Sequence, residues 1–246
     1  MTEIRREAAA TLPGAGRTLV QALAFEARTA HQLSGLALHS WRLLSQPRGD
    51  GHPVLVVPGY GQSDSSTALL RRYLKRLGYR VRGWQQGANS GSFEVHARGL
   101  LAGIRQLAEE GEGGVSLVGW SMGGVFAREL ARDQPRLIRQ VITLGSPVTG
   151  GPKYTAFAAR MRQSGVDLDA IENHLARHQQ GLPKIRVPVT AIYSRRDGIV
   201  AWQACIDQVH HHVDHVEVDS SHIGLGYSAD VYRVIARRLA RPAGGG

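Results

Sequence analysis

A serine between glycines is the residue whose surroundings indicate chemistry most clearly. Ser121 lies in the segment Gly119–Gly123, which reads Gly-Trp-Ser-Met-Gly and has the form G-x-S-x-G, and Gly124 follows it. This form is typical of a nucleophile on a tight turn from a strand into a helix, where the crowded backbone leaves no room for a Cβ on the flanking positions. An apolar run precedes the motif and a helical pattern follows it. We therefore predict that Ser121 is a nucleophile that attacks a carbonyl carbon.

These features resemble the α/β-hydrolase superfamily, and especially its small bacterial lipase- and esterase-like members. Judged by the order of the motifs, the resemblance extends over residues 53–239. It implies an α/β fold with a mostly parallel twisted sheet of about six strands, helices on both faces and a small helical cap. It also implies a catalytic triad whose members follow one another in the order serine, acid, histidine.

The triad order directs attention to the turns after the last two predicted strands. Asp197 lies in an Arg-Arg-Asp-Gly turn after the first of them, and His222 lies in a Ser-Ser-His-Ile-Gly segment after the second. The resemblance implies that neutral His222 takes the proton of Ser121 and that Asp197 holds the imidazole in the right tautomer. Asp219, which lies shortly before His222, is the alternative acid.

The loop after the first predicted strand reads Pro-Gly-Tyr-Gly from Pro58 onward. The family stabilises the oxyanion with two backbone N–H groups, and the resemblance implies that Met122 and Tyr60 supply them here. Gly59 and Gly61 would let this backbone approach the substrate. Many relatives have His-Gly where this chain has Pro-Gly, but a backbone donor does not depend on that histidine.

The elements that must position these residues alternate along the chain. Short apolar runs predict strands, and helical periodicity between them predicts helices, which is the pattern of a parallel sheet covered on both faces. The predicted strands are 53–57, 79–84, 115–118, 138–144, 187–193 and 213–218, and the predicted helices are 67–77, 93–110, 122–132, 201–209 and 229–239.

The remaining segments flank or interrupt this domain, which we place at residues 53–241. Residues 1–16 are polar and end in proline and glycines, so they predict a flexible arm. Apolar residues at helical spacing over 17–45 predict an extra amphipathic helix that packs on the core, although contact with lipid or a partner stays open. The insertion 146–186 predicts a cap of two helical pieces, and 242–246 predict a disordered tail.

The composition excludes several classes of function. The formal net charge is +10, but the basic residues are scattered arginines without a basic block or an aromatic platform, so we predict no nucleic-acid partner. The one cysteine, Cys205, excludes an intramolecular disulfide and a four-cysteine zinc site. We predict no metal and no cofactor. The chain shows neither a secretory signal nor a membrane-spanning stretch, so we expect a cytoplasmic bacterial protein that makes at most peripheral membrane contact.

The predicted activity is hydrolysis of a small-molecule or lipid carboxylic ester through an acyl-enzyme. The same residues could also serve thioester or amide cleavage or acyl transfer. Trp120 beside Ser121 is placed to shape the substrate pocket, and it resembles the Gly-Trp-Ser turn of pimeloyl carrier-protein methyl ester esterases, whose acidic carrier would suit a positive surface. The non-enzymatic alternative is a member of the family that has lost activity and binds a partner. The sequence indicates neither the acyl chain length nor the oligomeric state.

Overall fold

The computed structural model describes residues 2–12, 43–111, 113–165, 167–181, 183–210 and 212–241, together with the single residues Val20, Ala24, Glu26 and Thr29. The strands of this part of the chain are β1 (Pro53–Val57), β2 (Arg80–Gly83), β3 (Val115–Trp120), β4 (Ile138–Leu144), β5 (Val189–Tyr193) and β6 (Val213–Glu217). They form one sheet in the order β2-β1-β3-β4-β5-β6, and every neighbouring pair is parallel. The predicted parallel sheet is confirmed.

Helices cover both faces of this sheet, as predicted. The helices whose two ends are described are α1 (Glu3–Ala10), α2 (Ala68–Arg76), α3 (Phe93–Glu109), α4 (Met122–Asp133), α5 (Ala158–Gln163), α6 (Leu168–Gly181) and α7 (Ala229–Leu239). Apolar side chains of α2 and α7 pack on one face, and those of α3 and α4 pack on the other. The two faces therefore have separate apolar cores.

The central strands are buried along their whole length because they are covered from both sides. Every residue of β1 and of β3 is buried. Successive side chains alternate between the faces, so that Val54 and Val56 join the core under α2 and α7 while Leu55 and Val57 join the core under α3 and α4. This double burial explains why these strands are continuous apolar runs in the sequence.

The first residues differ from the predicted flexible arm. Residues 3–10 form α1, which packs through Ile4 and Ala8 against a small apolar cluster that includes Cys205 and Ile206. Arg5 is also buried and donates a hydrogen bond to the carbonyl of His210. The sequence does not predict this helix because one of its inward-facing side chains is an arginine, which adds nothing to an apolar pattern.

The helix predicted over 201–209 is also different in the structure. Only a short 3₁₀ turn forms there, at Trp202–Cys205. The carboxylate of Asp207 then accepts hydrogen bonds from the backbone N–H groups of Val209 and His210, both at 2.7 Å. This side-chain to backbone turn competes with helical hydrogen bonds and ends the segment before a helix can continue.

The segment 146–186 contains a 3₁₀ turn at Gly151–Tyr154 and the helices α5 and α6. Tyr154 is buried, and its hydroxyl donates to Glu172 of α6 at 2.5 Å, which ties the turn to that helix. Most of the helix predicted over 17–45, and the tail 242–246, lie outside the described residues. Within the described part of the chain, no helix is long and apolar enough to cross a lipid bilayer.

Candidate functional site

Ser121 occupies the turn between β3 and α4 in a strained backbone conformation. Its φ is 53° and its ψ is −121°, in a region that residues with a side chain rarely adopt. The backbone N–H of Ser121 donates to the carbonyl of Leu144, at the end of the neighbouring β4, at 2.7 Å. Ser121 is partly exposed. Strain of this kind is concentrated at functional sites, because the surrounding structure must maintain it.

The glycines around Ser121 are required by close backbone contacts. A Cβ on Gly119 would overlap the backbone of Gly123 and Gly124, and a Cβ on Gly123 would overlap the carbonyl oxygens of Val57 and Pro58. α4 therefore begins directly against the end of β1. Its N-terminus, with the partial positive charge of the helix dipole, lies at Ser121.

The pairing of β1 with β3 brings the loop after β1 to Ser121. Val57 pairs with Gly119, so the residues that follow these two strands meet at one edge of the sheet. A Cβ on Gly59 would lie 3.3 Å from Ser121 Cβ. Gly61 has a φ of +69° with open space beside its Cα, a conformation that favours glycine.

The backbone N–H groups of Tyr60 and Met122 meet the first requirement for oxyanion donors. Neither of them has a hydrogen-bond acceptor within the described part of the chain. Met122 directly follows Ser121, and Tyr60 directly follows Gly59, whose backbone lies close enough to Ser121 that an added Cβ would be 3.3 Å from Ser121 Cβ. The Tyr60 side chain is exposed. Two N–H groups beside one serine can together stabilise a negative oxygen.

Asn89, which sequence reasoning missed, holds the Tyr60 loop in place. Asn89 is buried in the loop after β2. Its side-chain amide donates to the carbonyl of Pro58 at 2.9 Å, and its backbone carbonyl accepts from the N–H of Gly61 at 2.8 Å. In the sequence, the one feature that could have identified Asn89 is its position after a predicted strand, because the residues that follow parallel strands meet at the edge of the sheet where Ser121 lies.

The structure pairs Asp197 with His222. Asp197 lies in the turn after β5, and its Oδ2 is 2.6 Å from His222 Nδ1. Its other oxygen, Oδ1, accepts hydrogen bonds from the N–H groups of Ile199 at 2.9 Å and Val200 at 2.7 Å. Both members of the pair are buried. Gly145, at the end of β4, packs directly against them, since a Cβ there would lie 2.9 Å from Asp197 Oδ2.

Burial and charge act in opposite directions on the pKa of His222. Burial disfavours the charged imidazolium, but the carboxylates of Asp197 and Glu26 favour it more strongly, and the net effect raises the pKa above its usual value of 6.5. Asp219, the alternative acid, instead pairs with Arg196 at 2.8 Å, and both side chains are exposed.

Trp120 connects the serine turn to the histidine loop. Its indole N–H donates to the carbonyl of His222 at 3.2 Å, and its ring centroid lies 6.4 Å from that of the imidazole. The indole is buried and also packs against Tyr227, so it supports the histidine loop from the interior of the protein.

Among the described residues, no hydrogen bond joins the Ser121 hydroxyl to the His222 imidazole, although the histidine loop lies next to the serine turn. Such bonds often form only when substrate is bound.

A second set of the same residue types lies where β1 and β3 begin. His52 Nδ1 is 2.5 Å from Asp50 Oδ1, and His52 Nε2 is 2.8 Å from Ser116 Oγ. Ser116 has no exposed surface. No substrate can therefore reach this serine in the folded protein, and of these two serines Ser121 is the accessible one.

Known proteins resemble this chain in structure rather than in sequence. No family model and no curated protein matches the sequence. One of the metagenome-derived lipolytic enzymes LipS and LipT superposes with a TM-score of 0.61 at 16% identity, over 79% of this chain and 94% of the other. Mouse alpha/beta hydrolase domain-containing protein 10 does so with 0.55 at 16% identity, over 79% and 90%. A thioesterase domain from the curacin biosynthetic pathway gives 0.51 at 17% identity, over 80% and 93%. The chain therefore has the predicted α/β-hydrolase fold.

Proposed function

We propose that the protein is a serine hydrolase that cleaves carboxylic esters. Ser121 is the nucleophile, His222 is the general base and later the general acid, and Asp197 orients the imidazole. One observation carries the proposal: a strained, partly exposed serine and a buried acid–histidine pair lie at the same edge of the sheet. A purely structural turn would require neither the strain nor the buried pair.

The reaction proceeds in two halves. His222 Nε2 accepts the hydroxyl proton as Ser121 Oγ bonds to the ester carbonyl carbon, and the imidazolium then returns the proton to the departing alcohol. Water attacks the resulting acyl-serine in the same way, which releases the carboxylic acid and restores the serine. The negatively charged Asp197 stabilises the imidazolium in both halves.

The oxyanion of each tetrahedral intermediate binds between the N–H groups of Tyr60 and Met122. Both donors follow the strands that end at the serine edge and make no competing hydrogen bond among the described residues. Binding the oxyanion therefore breaks no hydrogen bond that these two groups make to the described part of the chain. Gly59 and Gly61 leave room beside them for the substrate. The small-molecule or lipid ester binds at this edge.

Acyl thioesters are the second candidate substrate class. The same attack and the same oxyanion donors act on a thioester, and a thioesterase domain is among the structures that share the fold. Comparing the acyl ester and the acyl thioester of the same acid distinguishes the two candidates. Product analysis with added alcohol separates hydrolysis from acyl transfer.

A fluorophosphonate probe tests the assignment of the nucleophile. The probe should label the wild type, and Ser121→Ala should abolish both labelling and the hydrolysis of a nitrophenyl ester series of increasing acyl length. Ser116→Ala is the matched control, because that serine also contacts a histidine but is inaccessible. The Ser116→Ala variant should retain both labelling by the probe and ester hydrolysis. A folded wild type that neither labels nor hydrolyses any ester or thioester of the series would refute the proposal.

A further inference from the structure

A carboxylate from outside the α/β domain contacts both loops of the acid–histidine pair. Glu26 Oε1 accepts the backbone N–H of His222 at 2.8 Å, and Oε2 accepts that of Ile223 at 2.7 Å. Oε1 also accepts the N–H of Gly198, the residue after Asp197, at 3.3 Å. Glu26 is 7% exposed and has helical backbone. One side chain therefore joins the turn that carries the acid to the loop that carries the histidine.

A second residue, three positions further along the chain, contacts the same loop. Thr29 Oγ1 lies 2.9 Å from Ser221 Oγ, and Ser221 Oγ accepts the N–H of Gly224 at 3.1 Å. Glu26 and Thr29 together hold the chain on both sides of His222. The backbone of the histidine loop is thus fixed by side chains that lie nearly two hundred positions away in the sequence.

The electrostatic surroundings of Glu26 distinguish it from a residue that only holds two loops together. A buried carboxylate is costly unless hydrogen bonds or an opposite charge compensate for its lost hydration. Glu26 accepts three N–H groups, but it forms no ion pair with any of the described residues. Among the described residues, the charged groups that face His222 are Asp197 and Glu26, whereas β3 and β4 present the neutral Trp120 and Gly145. The imidazolium is therefore the cation that both carboxylates can stabilise.

We propose that Glu26 is a positioning residue of the catalytic centre, which fixes the His222 loop against the Asp197 turn and stabilises the imidazolium that forms during acyl transfer. This inference rests on the proposed serine-hydrolase function. It also predicts that the charge of the Glu26 side chain affects the pH profile of the reaction, whereas its reach affects kcat.

Two substitutions separate charge from reach. Glu26→Gln keeps the length of the side chain but removes its charge and one of its two acceptor oxygens, and because of the lost charge the acid limb of the kcat/KM pH profile should shift to lower pH by about half a unit to one unit. Its kcat should fall about 10-fold while KM changes little, because the lost interaction acts on the transition state. Glu26→Asp keeps the charge but shortens the reach, so its kcat should fall while the midpoint of the acid limb stays near the wild-type value.

Asp207→Asn is the matched control. Asp207 is also a buried carboxylate that accepts two backbone N–H groups, but it precedes β6 and contacts Arg128 and His210 instead of the catalytic pair. Its substitution should lower the thermal unfolding temperature and leave the midpoint of the acid limb unchanged. All variants are compared only as folded protein, as judged by circular dichroism and by a cooperative thermal transition.

The outcomes separate failure of this inference from failure of the proposed function. If the wild type hydrolyses esters and is labelled at Ser121, but Glu26→Gln keeps the wild-type kcat and acid limb, Glu26 is only an anchor and the inference is wrong. If Glu26→Gln does not fold, the Glu26→Asp profile decides: an unchanged kcat in that variant overturns the inference. If the wild type itself is neither labelled nor active, the proposed function fails first.

Discussion

The side-chain amide of Asn89 donates a hydrogen bond to the Pro58 carbonyl across 2.9 Å, which joins the loop after β2 to the loop after β1. Asn89 Oδ1 accepts the N–H of Gly91 at 2.9 Å, so both polar groups of this amide are used. The position of the proposed oxyanion donor on Tyr60 therefore depends on the buried side chain of Asn89. Without this partner, the buried Pro58 carbonyl would lose the hydrogen bond that compensates for its lost hydration.

Asn89→Ala should lower kcat by about 10- to 100-fold, because the Tyr60 N–H would no longer be held at the oxyanion. The rate of labelling by a fluorophosphonate should fall in parallel, since the phosphonyl oxygen uses the same donors. Asn173→Ala is the control, because this residue is exposed on α6, and it should retain the wild-type rate. Equal rates for Asn89→Ala and wild type would show that the loop holds its position without the amide.

Asp197 and Asp219 compete for the role of triad acid in the sequence, and mutation separates them. Asp197→Asn should lower kcat by about 1,000-fold or more, because the amide stabilises the wrong tautomer of His222 and no longer neutralises the imidazolium. Asp219→Asn should change kcat by less than about 2-fold, because Asp219 forms an exposed ion pair with Arg196. The reverse ranking of the two variants would assign the acid to Asp219.

The pH dependence of the wild type should report the raised pKa of His222. The imidazole must be neutral to accept the serine proton, so kcat/KM rises with pH through the pKa of the free enzyme. Because Asp197 and Glu26 outweigh burial and raise this pKa, the midpoint of the acid limb should lie above the ordinary value of 6.5. A profile between about pH 5 and 9, measured with an ester whose products do not titrate in this range, checks the prediction. A midpoint below 6.5 would contradict it.

Apolar runs and glycine spacing made the sheet and the serine turn predictable from sequence. β1 and β3 are buried on both faces, so their composition alone identifies them. Gly119 and Gly123 flank Ser121 because backbone atoms occupy the space of a Cβ, and that requirement is local. The known order of the triad then pointed to Asp197 and His222. The strands and the serine turn are thus identified by local information, whereas Asp197 and His222 were found from the order of the motifs along the chain.

Other features depend on contacts that leave no local pattern. Glu26 and Asn89 act through hydrogen bonds to backbone groups, and any backbone can supply such groups whatever its sequence. The helix α1 buries Arg5, whose charge suggests exposure. Asp207 ends the predicted helix 201–209 by binding the N–H groups that follow it. Such features require the three-dimensional arrangement, because each polar side chain has many possible partners along the chain.

His215 should make the folded state less stable at acidic pH. Its Nε2 accepts the backbone N–H of Asp207 at 3.0 Å, and burial together with the nearby Arg5 lowers its pKa from 6.5 to about 4. The unfolded chain therefore binds a proton at a higher pH than the folded chain does. The stabilisation by neutral His215 is complete above pH 6.5 and is lost as the pH falls through this window toward about 4.

His215→Gln should weaken this dependence, since a glutamine carbonyl can accept the same N–H but does not titrate. Denaturant unfolding at several pH values gives the slope of the free energy of unfolding against pH. This slope reports how many more protons the unfolded chain binds than the folded chain, and between pH 6.5 and 4 that number should be smaller by about one in the variant. Above pH 7 the slopes of the two proteins should coincide, because His215 is neutral there in the folded and unfolded states alike. Identical slopes across the acidic window would mean that His215 takes up its proton at the same pH in the folded and unfolded chains, and its hydrogen bond with Asp207 would then have to be reassigned.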